Sequence, residues 1–169
     1  MARFIPILFL ISQAFGHSLY TQCPPGWISM SPSLGCLLYH TEACGGVQGG
    51  GCDWIQATES CQSIGAWLVE IHSGDEQNFI VTMAKALELI HGPLDWWIGL
   101  NDLGNEGNWL WQHSRSNLTS GKFSSWGLGE PNGTYLENCA AMSYGSLNYR
   151  WSDLGCGKRA RTFPICQKF

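Results

Sequence analysis

Apolar positions recur along the chain at two periods, and the change of period falls at Trp96. Before it the spacing is helical: Trp54, Ala57, Cys61 and Ile64 follow Asp53, an N-cap residue with Gln56 three positions on, and Gly65 closes the stretch. A second helix is predicted where Ser73 and Glu76 form a capping box ahead of the stripe Phe79, Ile80, Met83, Ala84 and Leu87. From Trp96 onward short β segments are expected at 96–100, 109–111, 139–143, 149–151 and 163–166. Upstream, Cys23-Pro24-Pro25-Gly26-Trp27 reads as a turn leading into short strands. The run Gly45-Gly46-Val47-Gln48-Gly49-Gly50-Gly51 reads as a flexible loop, which a bridge between Cys44 and Cys52 would clamp. Residues 114–138 are rich in Gly, Asn and Ser without periodicity, and connections of that length are more often binding loops than filler.

With 169 residues and 44% hydrophobic content, the chain has room for one core of ordinary size. Arg3, the apolar run 4–14 and the small residues of Ala14-Phe15-Gly16 predict a signal peptide at 1–16, with the mature protein 17–169 secreted to the extracellular space. The run is too short to span a bilayer, where about 20 apolar residues are needed, so no membrane anchor is expected. The eight cysteines contain no C-x-x-C pair and no His at finger spacing, so disulfides are expected over zinc. A net charge of −4 argues against nucleic acid as a partner. His17, His40, His72, His91 and His113 are scattered, and neither a nucleophile elbow nor a P-loop occurs, so no enzyme is expected.

Several ordered motifs between Cys23 and Cys166 resemble the C-type lectin-like domain. Trp97-Ile98-Gly99-Leu100 is similar to its central strand, followed by Glu106-Gly107-x-Trp109-x-Trp111. Phe123-x-x-Trp126-x-x-Gly129-Glu130-Pro131-Asn132 resembles its long loop, and Glu137-Asn138-Cys139, Trp151-Ser152-Asp153 and Cys166 complete the set. The resemblance implies an α+β fold in which two helices flank small antiparallel sheets and a long loop carries a Ca²⁺ site. It also implies bridges Cys61–Cys166 and Cys139–Cys156, with Cys23–Cys36 as the extra bridge of the long form. Cys44 and Cys52, which have no counterpart there, are left to pair with each other.

For function, the resemblance implies a Ca²⁺-dependent lectin of mannose, fucose, glucose or N-acetylglucosamine type, acting in innate recognition of glycans on cell or microbial surfaces. Glu130, Asn132, Glu137, Ser152 and Asp153 would hold both metal and sugar. The chemistry is apt: grouped carboxylates repel unless a cation neutralises them, and Ca²⁺ takes oxygen ligands in irregular geometry. A sugar hydroxyl that coordinates the metal must still donate its proton to a carboxylate and can accept from an amide. Glu130 and Asn132, on either side of a proline expected to be cis, supply that acceptor and donor in fixed order.

Two departures bear on this. Ser152 stands where the family has Asn, with a shorter side chain and no amide N–H, so weaker sugar affinity is expected. Asn132-Gly133-Thr134 is also an N-glycosylation sequon, as is Asn117-Leu118-Thr119. The alternative function is therefore a protein-binding module that has lost sugar binding through Ser152 or a glycan on Asn132. Asp102 and Glu106 match an auxiliary Ca²⁺ site, although Gly133 and Asn138 stand where acidic ligands are often found. Core packing is expected for Trp97, Trp109, Trp111, Trp126 and Trp151, whereas Trp96 is open to either reading. No coiled coil or collagen repeat is present, so a homo-oligomer would have to use the domain's own surface.

Overall fold

The computed structural model describes residues 23–29, 34–133, 135–157 and 159–169; the expected signal segment 1–16 and the sequon residue Thr134 lie outside them. Helix α1, Trp54–Ser63, begins where the Asp53 carboxylate accepts from the Gln56 amide at 2.6 Å and the Gln56 side chain accepts from the Asp53 amide at 3.2 Å. Two of the donors that the first turn leaves unpaired are thereby satisfied, and the Trp54 amide finds a third partner in the Cys156 carbonyl at 2.9 Å. Its buried face is Trp54, Ala57, Thr58 and Cys61. Ile64, expected on that stripe, is the C-cap residue and lies 36% exposed, because the chain has already left the helix for the left-handed turn at Gly65 (φ 69°).

Helix α2, Gly74–His91, starts at Ser73, whose hydroxyl accepts from the Glu76 amide at 3.2 Å. The capping box expected there is shifted by one residue. Glu76 is buried, and its carboxylate accepts from the His72 amide at 2.7 Å rather than from Ser73, tying down the incoming chain. Ile80 and Ala84 are fully covered, whereas Phe79, Met83 and Leu87 flank the core half-buried. Among the described residues no helix is long and apolar enough to cross a membrane.

Among the described residues eight strands follow the element order: β1 Ile28–Ser29, β2 Cys36–Tyr39, β3 Trp67–Leu68, β4 Asp95–Asn101, β5 Leu110–Trp111, β6 Cys139–Ser143, β7 Arg150–Leu154 and β8 Thr162–Lys168. They lie in the order β1-β2-β8-β4-β6-β7, with β3 also on β8 and β5 on β4. Every pairing is antiparallel except β4 with β8, so the sheet is mixed. Cys61–Cys166 ties α1 to β8, Cys139–Cys156 ties β6 to the chain after β7, and Cys23–Cys36 and Cys44–Cys52 complete the four expected bridges.

The glycine-rich loop is more ordered than its composition suggests, forming two short 3₁₀ turns at Ala43–Gly45 and Val47–Gly49. Gly51 then passes so close to the chain before β8 that a Cβ there would stand 2.3 Å from the Arg159 carbonyl oxygen. The core is aromatic: Trp96, Trp97, Trp111 and Trp151 are fully buried. The indole N–H of Trp97 donates to the Cys52 carbonyl at 3.1 Å, and that of Trp151 to Gln77 at 2.8 Å. Trp96 is a core residue as well, edge-on to Tyr39. Beneath the turn after β5, the buried Glu70 carboxylate accepts from the amides of His113 (2.9 Å) and Ser114 (2.8 Å).

Candidate functional site

The long loop is pinned to the outer edge of β7 by two backbone hydrogen bonds of 2.8 Å, Trp151 N–H to Ser125 and Gly127 N–H to Trp151. Those bonds cover a strand edge that would otherwise stay open. Gly127 lets the chain pass close to Leu147, since a Cβ there would lie 2.6 Å from Leu147 Cδ2 and push that side chain aside. The chain then turns, Glu130 N–H donating to the Gly127 carbonyl at 3.1 Å, and passes through a cis Glu130–Pro131 peptide. That reversal aims the amides of Asn132 and Gly133 at Asp153 on β7, which accepts one on each carboxylate oxygen at 3.0 Å. The Asn132 side-chain amide lies 3.5 Å from Glu130 Oε2. Glu130, Asn132 and Asp153 are therefore brought together from two separate segments.

Two carboxylates so close cannot both ionise freely. The hydrogen bond with Asp153 is the largest influence on Glu130; with desolvation and the charges of Asp153 and Glu137 it raises the group to about 7. Burial works to raise Asp153 too, but its hydrogen bonds with Glu130, Gly133 and Asn132 outweigh this and hold it below the usual carboxylate range. The pair favours sharing one proton, making a site that either a proton or a cation would relieve.

The other expected residues are placed less tightly. Glu137 is near enough to push Glu130 up, yet among the described residues no three His, Cys, Asp or Glu side chains gather closely enough to hold a metal. Ser152 is only 3% exposed, and its hydroxyl lies 2.6 Å from that of Ser143 on β6, a partner that nothing in the local sequence signals. Asp102 is buried; its Oδ2 accepts from the Gly107 amide at 2.8 Å, while its Oδ1 is buried with no partner. Asn138 Oδ1 is orphaned in the same way, and the Asp102 amide donates to the Asn138 carbonyl at 3.1 Å. Desolvation and the Asp153 charge raise Asp102; desolvation and the charges of Asp102 and Asp153 raise Glu106. Orphaned buried oxygens beside mutually repelling carboxylates form an all-oxygen donor set that suits a hard cation such as Ca²⁺. Of the two sequon asparagines, both are exposed, Asn117 on the loop after β5 and Asn132 within the site itself.

The family profile for the lectin C-type domain matches residues 51–168. This chain belongs to the C-type lectin domain family. The C-type lectin is similar to a perlucin-like protein of Mytilus galloprovincialis, 28% identical over 151 residues that cover 89% of this chain and 86% of the relative. It is 38% identical over 116 residues to CD209 antigen-like protein D of Mus musculus, covering 69% of this chain and 44% of that one, so it spans less than half of the mouse protein. Its fold matches the cow CD23 carbohydrate-recognition domain, crystallised in the presence of a GlcNAc2Man3 oligosaccharide, with a TM-score of 0.66 and 30% identity over 88% of this chain and 96% of that one. The expected fold is thus the observed one, and membership assigns a lectin-type, non-enzymatic function.

Proposed function

We propose that this C-type lectin is a secreted, Ca²⁺-dependent receptor for mannose, fucose, glucose or N-acetylglucosamine residues on cell or microbial surfaces, serving innate recognition. The observation that carries the reading is the cluster at the loop tip, where the Asn132 backbone amide donates to Asp153 and the Asn132 side-chain amide lies beside Glu130, so that carboxylate acceptors and an amide donor stand together. Glu130, Asn132, Glu137, Ser152 and Asp153 would hold the cation once Glu137 moves in to join the other two carboxylates, with Asp102, Glu106 and Asn138 offering oxygens to an auxiliary one. A bound Ca²⁺ supplies coordination to two neighbouring sugar hydroxyls. This chain's own residues do the rest: Glu130 accepts a hydroxyl proton, and Asn132 donates from its amide.

The second reading, a protein-binding module, is favoured by one observation: Ser152 is only 3% exposed, with its hydroxyl hydrogen-bonded to Ser143 rather than presented to the surface. Retention on mannose-agarose in Ca²⁺ and elution by EDTA is the expected result. Failure to bind, with Asn132 shown unmodified by peptide mass mapping, would sink the lectin reading in favour of the module. Retention that survives EDTA would sink Ca²⁺ mediation.

A further inference from the structure

Beside Glu130 the surface opens into a groove of about 550 Å³ between the pinned loop and the turn before β7, lined chiefly by Trp126, Leu128, Ser146, Leu147, Asn148 and Arg150. That volume falls in the range of small-ligand sites. The groove adjoins the site along the chain, because Gly129, which lines it, immediately precedes Glu130.

Its far wall is built at a conformational cost. Asn148 and Tyr149 are consecutive non-glycine residues with positive φ, 49° and 62°, a conformation that a bulky aromatic rarely adopts. Tyr149 is held there from three sides: its N–H donates to the Ser143 carbonyl (2.8 Å), its hydroxyl to Glu88 (3.2 Å), and its carbonyl accepts from Gln77 (3.0 Å). The strained turn projects Leu147 over Gly127 and delivers Arg150 to the rim as the first residue of β7. Arg150 is exposed and makes no ion pair or side-chain hydrogen bond among the described residues, although the chain as a whole is acidic, with net charge −4. Leu128 stands 98% exposed on the near side.

We infer that this groove is a second sugar subsite, taking a residue that carries an anionic group and is joined to the hexose in the Glu130 site. The apolar ring face lies on Leu147 and Leu128, the hydroxyls meet Asn148 and Ser146, and the carboxylate or sulfate pairs with the Arg150 guanidinium, whose planar fork matches either anion. The inference rests on the sugar-binding function proposed above.

The test is competition for immobilised mannose in Ca²⁺ by methyl mannoside, a neutral glucosyl-mannose, a glucuronosyl-mannose and a sulfated glucosyl-mannose. Each disaccharide is expressed relative to methyl mannoside. For the unaltered protein, at least one acidic disaccharide is expected to inhibit about tenfold better than the neutral one, with the advantage shrinking as salt is added. Whichever acid shows the gain identifies the natural anion as carboxylate or sulfate. Arg150→Gln should erase the acidic advantage, and Leu147→Asn should weaken all three disaccharides. Equal inhibition by acidic and neutral disaccharides, or an acidic preference that survives Arg150→Gln, with methyl mannoside still competing, overturns this inference alone. Failure of methyl mannoside to compete overturns the sugar-binding function and this inference with it.

Discussion

Glu130→Gln should make the cation-free lectin more stable while removing its response to Ca²⁺. In the cation-free site Glu130 is raised from 4.5 to about 7 chiefly by its hydrogen bond with Asp153, so the folded state favours the protonated form. Its contribution is therefore fully favourable below pH 4.5 and is lost as the pH rises through about 7, leaving at pH 8 a repulsion that a neutral glutamine in its place would not feel. Taken at face value, the shift corresponds to roughly 3 kcal/mol at 1.36 kcal/mol per unit; partial solvent access and screening reduce this to about 1 kcal/mol. A glutamine amide can donate to Asp153 at any pH, preserving the hydrogen bond. Thermal unfolding in EDTA at about pH 8 should then show Tm higher by about 2–4 °C for the variant, with the gain vanishing near pH 5, where Glu130 is already protonated. In Ca²⁺ the order should invert, since the variant lacks a charged ligand. A lower Tm for the variant in EDTA at about pH 8, or an equal gain at both pH values, would show that the two carboxylates do not oppose each other.

Gly51→Ala combines φ 98° with a Cβ 2.3 Å from a backbone oxygen, whereas Gly50→Ala has φ 84° and open space. The first should cost about 2–5 kcal/mol and the second about 1, and equal Tm losses would refute the close-approach argument. Glu70→Ala leaves the His113 and Ser114 amides without their acceptor and should cost about 2–4 kcal/mol at neutral pH. Desolvation works to raise Glu70, but its bonds with His72 and Ser114 prevail and hold it below the usual carboxylate range, so the Tm gap should narrow as the pH falls through that range. Ser152→Asn with Ser143→Ala supplies an amide where the hydroxyl is now diverted and should strengthen Ca²⁺-dependent mannose retention; unchanged elution would mean that Ser152 is not the weak ligand.

What was legible in the sequence is what local patterning controls. Asp53 and Gln56 announce α1, and the β6 segment at 139–143 reads directly as a strand because its flanks and composition act over a few residues. The Glu130-Pro131-Asn132 turn was legible through the family resemblance rather than through local patterning, since an X-Pro bond is trans by default. Features that depend on distant partners were not. The shift of the Glu76 carboxylate to the His72 amide, the pairing of Ser152 with Ser143 and the left-handed Asn148-Tyr149 pair depend on the packing of neighbouring segments, and no periodicity encodes that. For the same reason β7 runs to Leu154 and so includes Asp153, past the expected end at 151, because pairing with β6 extends it.

The place of β8 has a consequence for biosynthesis. The last strand in sequence is the one that β2, β3 and β4 all pair with, and it carries the cysteine that Cys61 awaits across 105 residues. A nascent chain stopped before Thr162 therefore has three strands without their shared partner and an unmatched thiol, whatever its upstream helices have done. Completion of the sheet and of the Cys61–Cys166 bridge waits on this segment, and a chain truncated before Thr162 is expected to form neither, however well its two helices are capped.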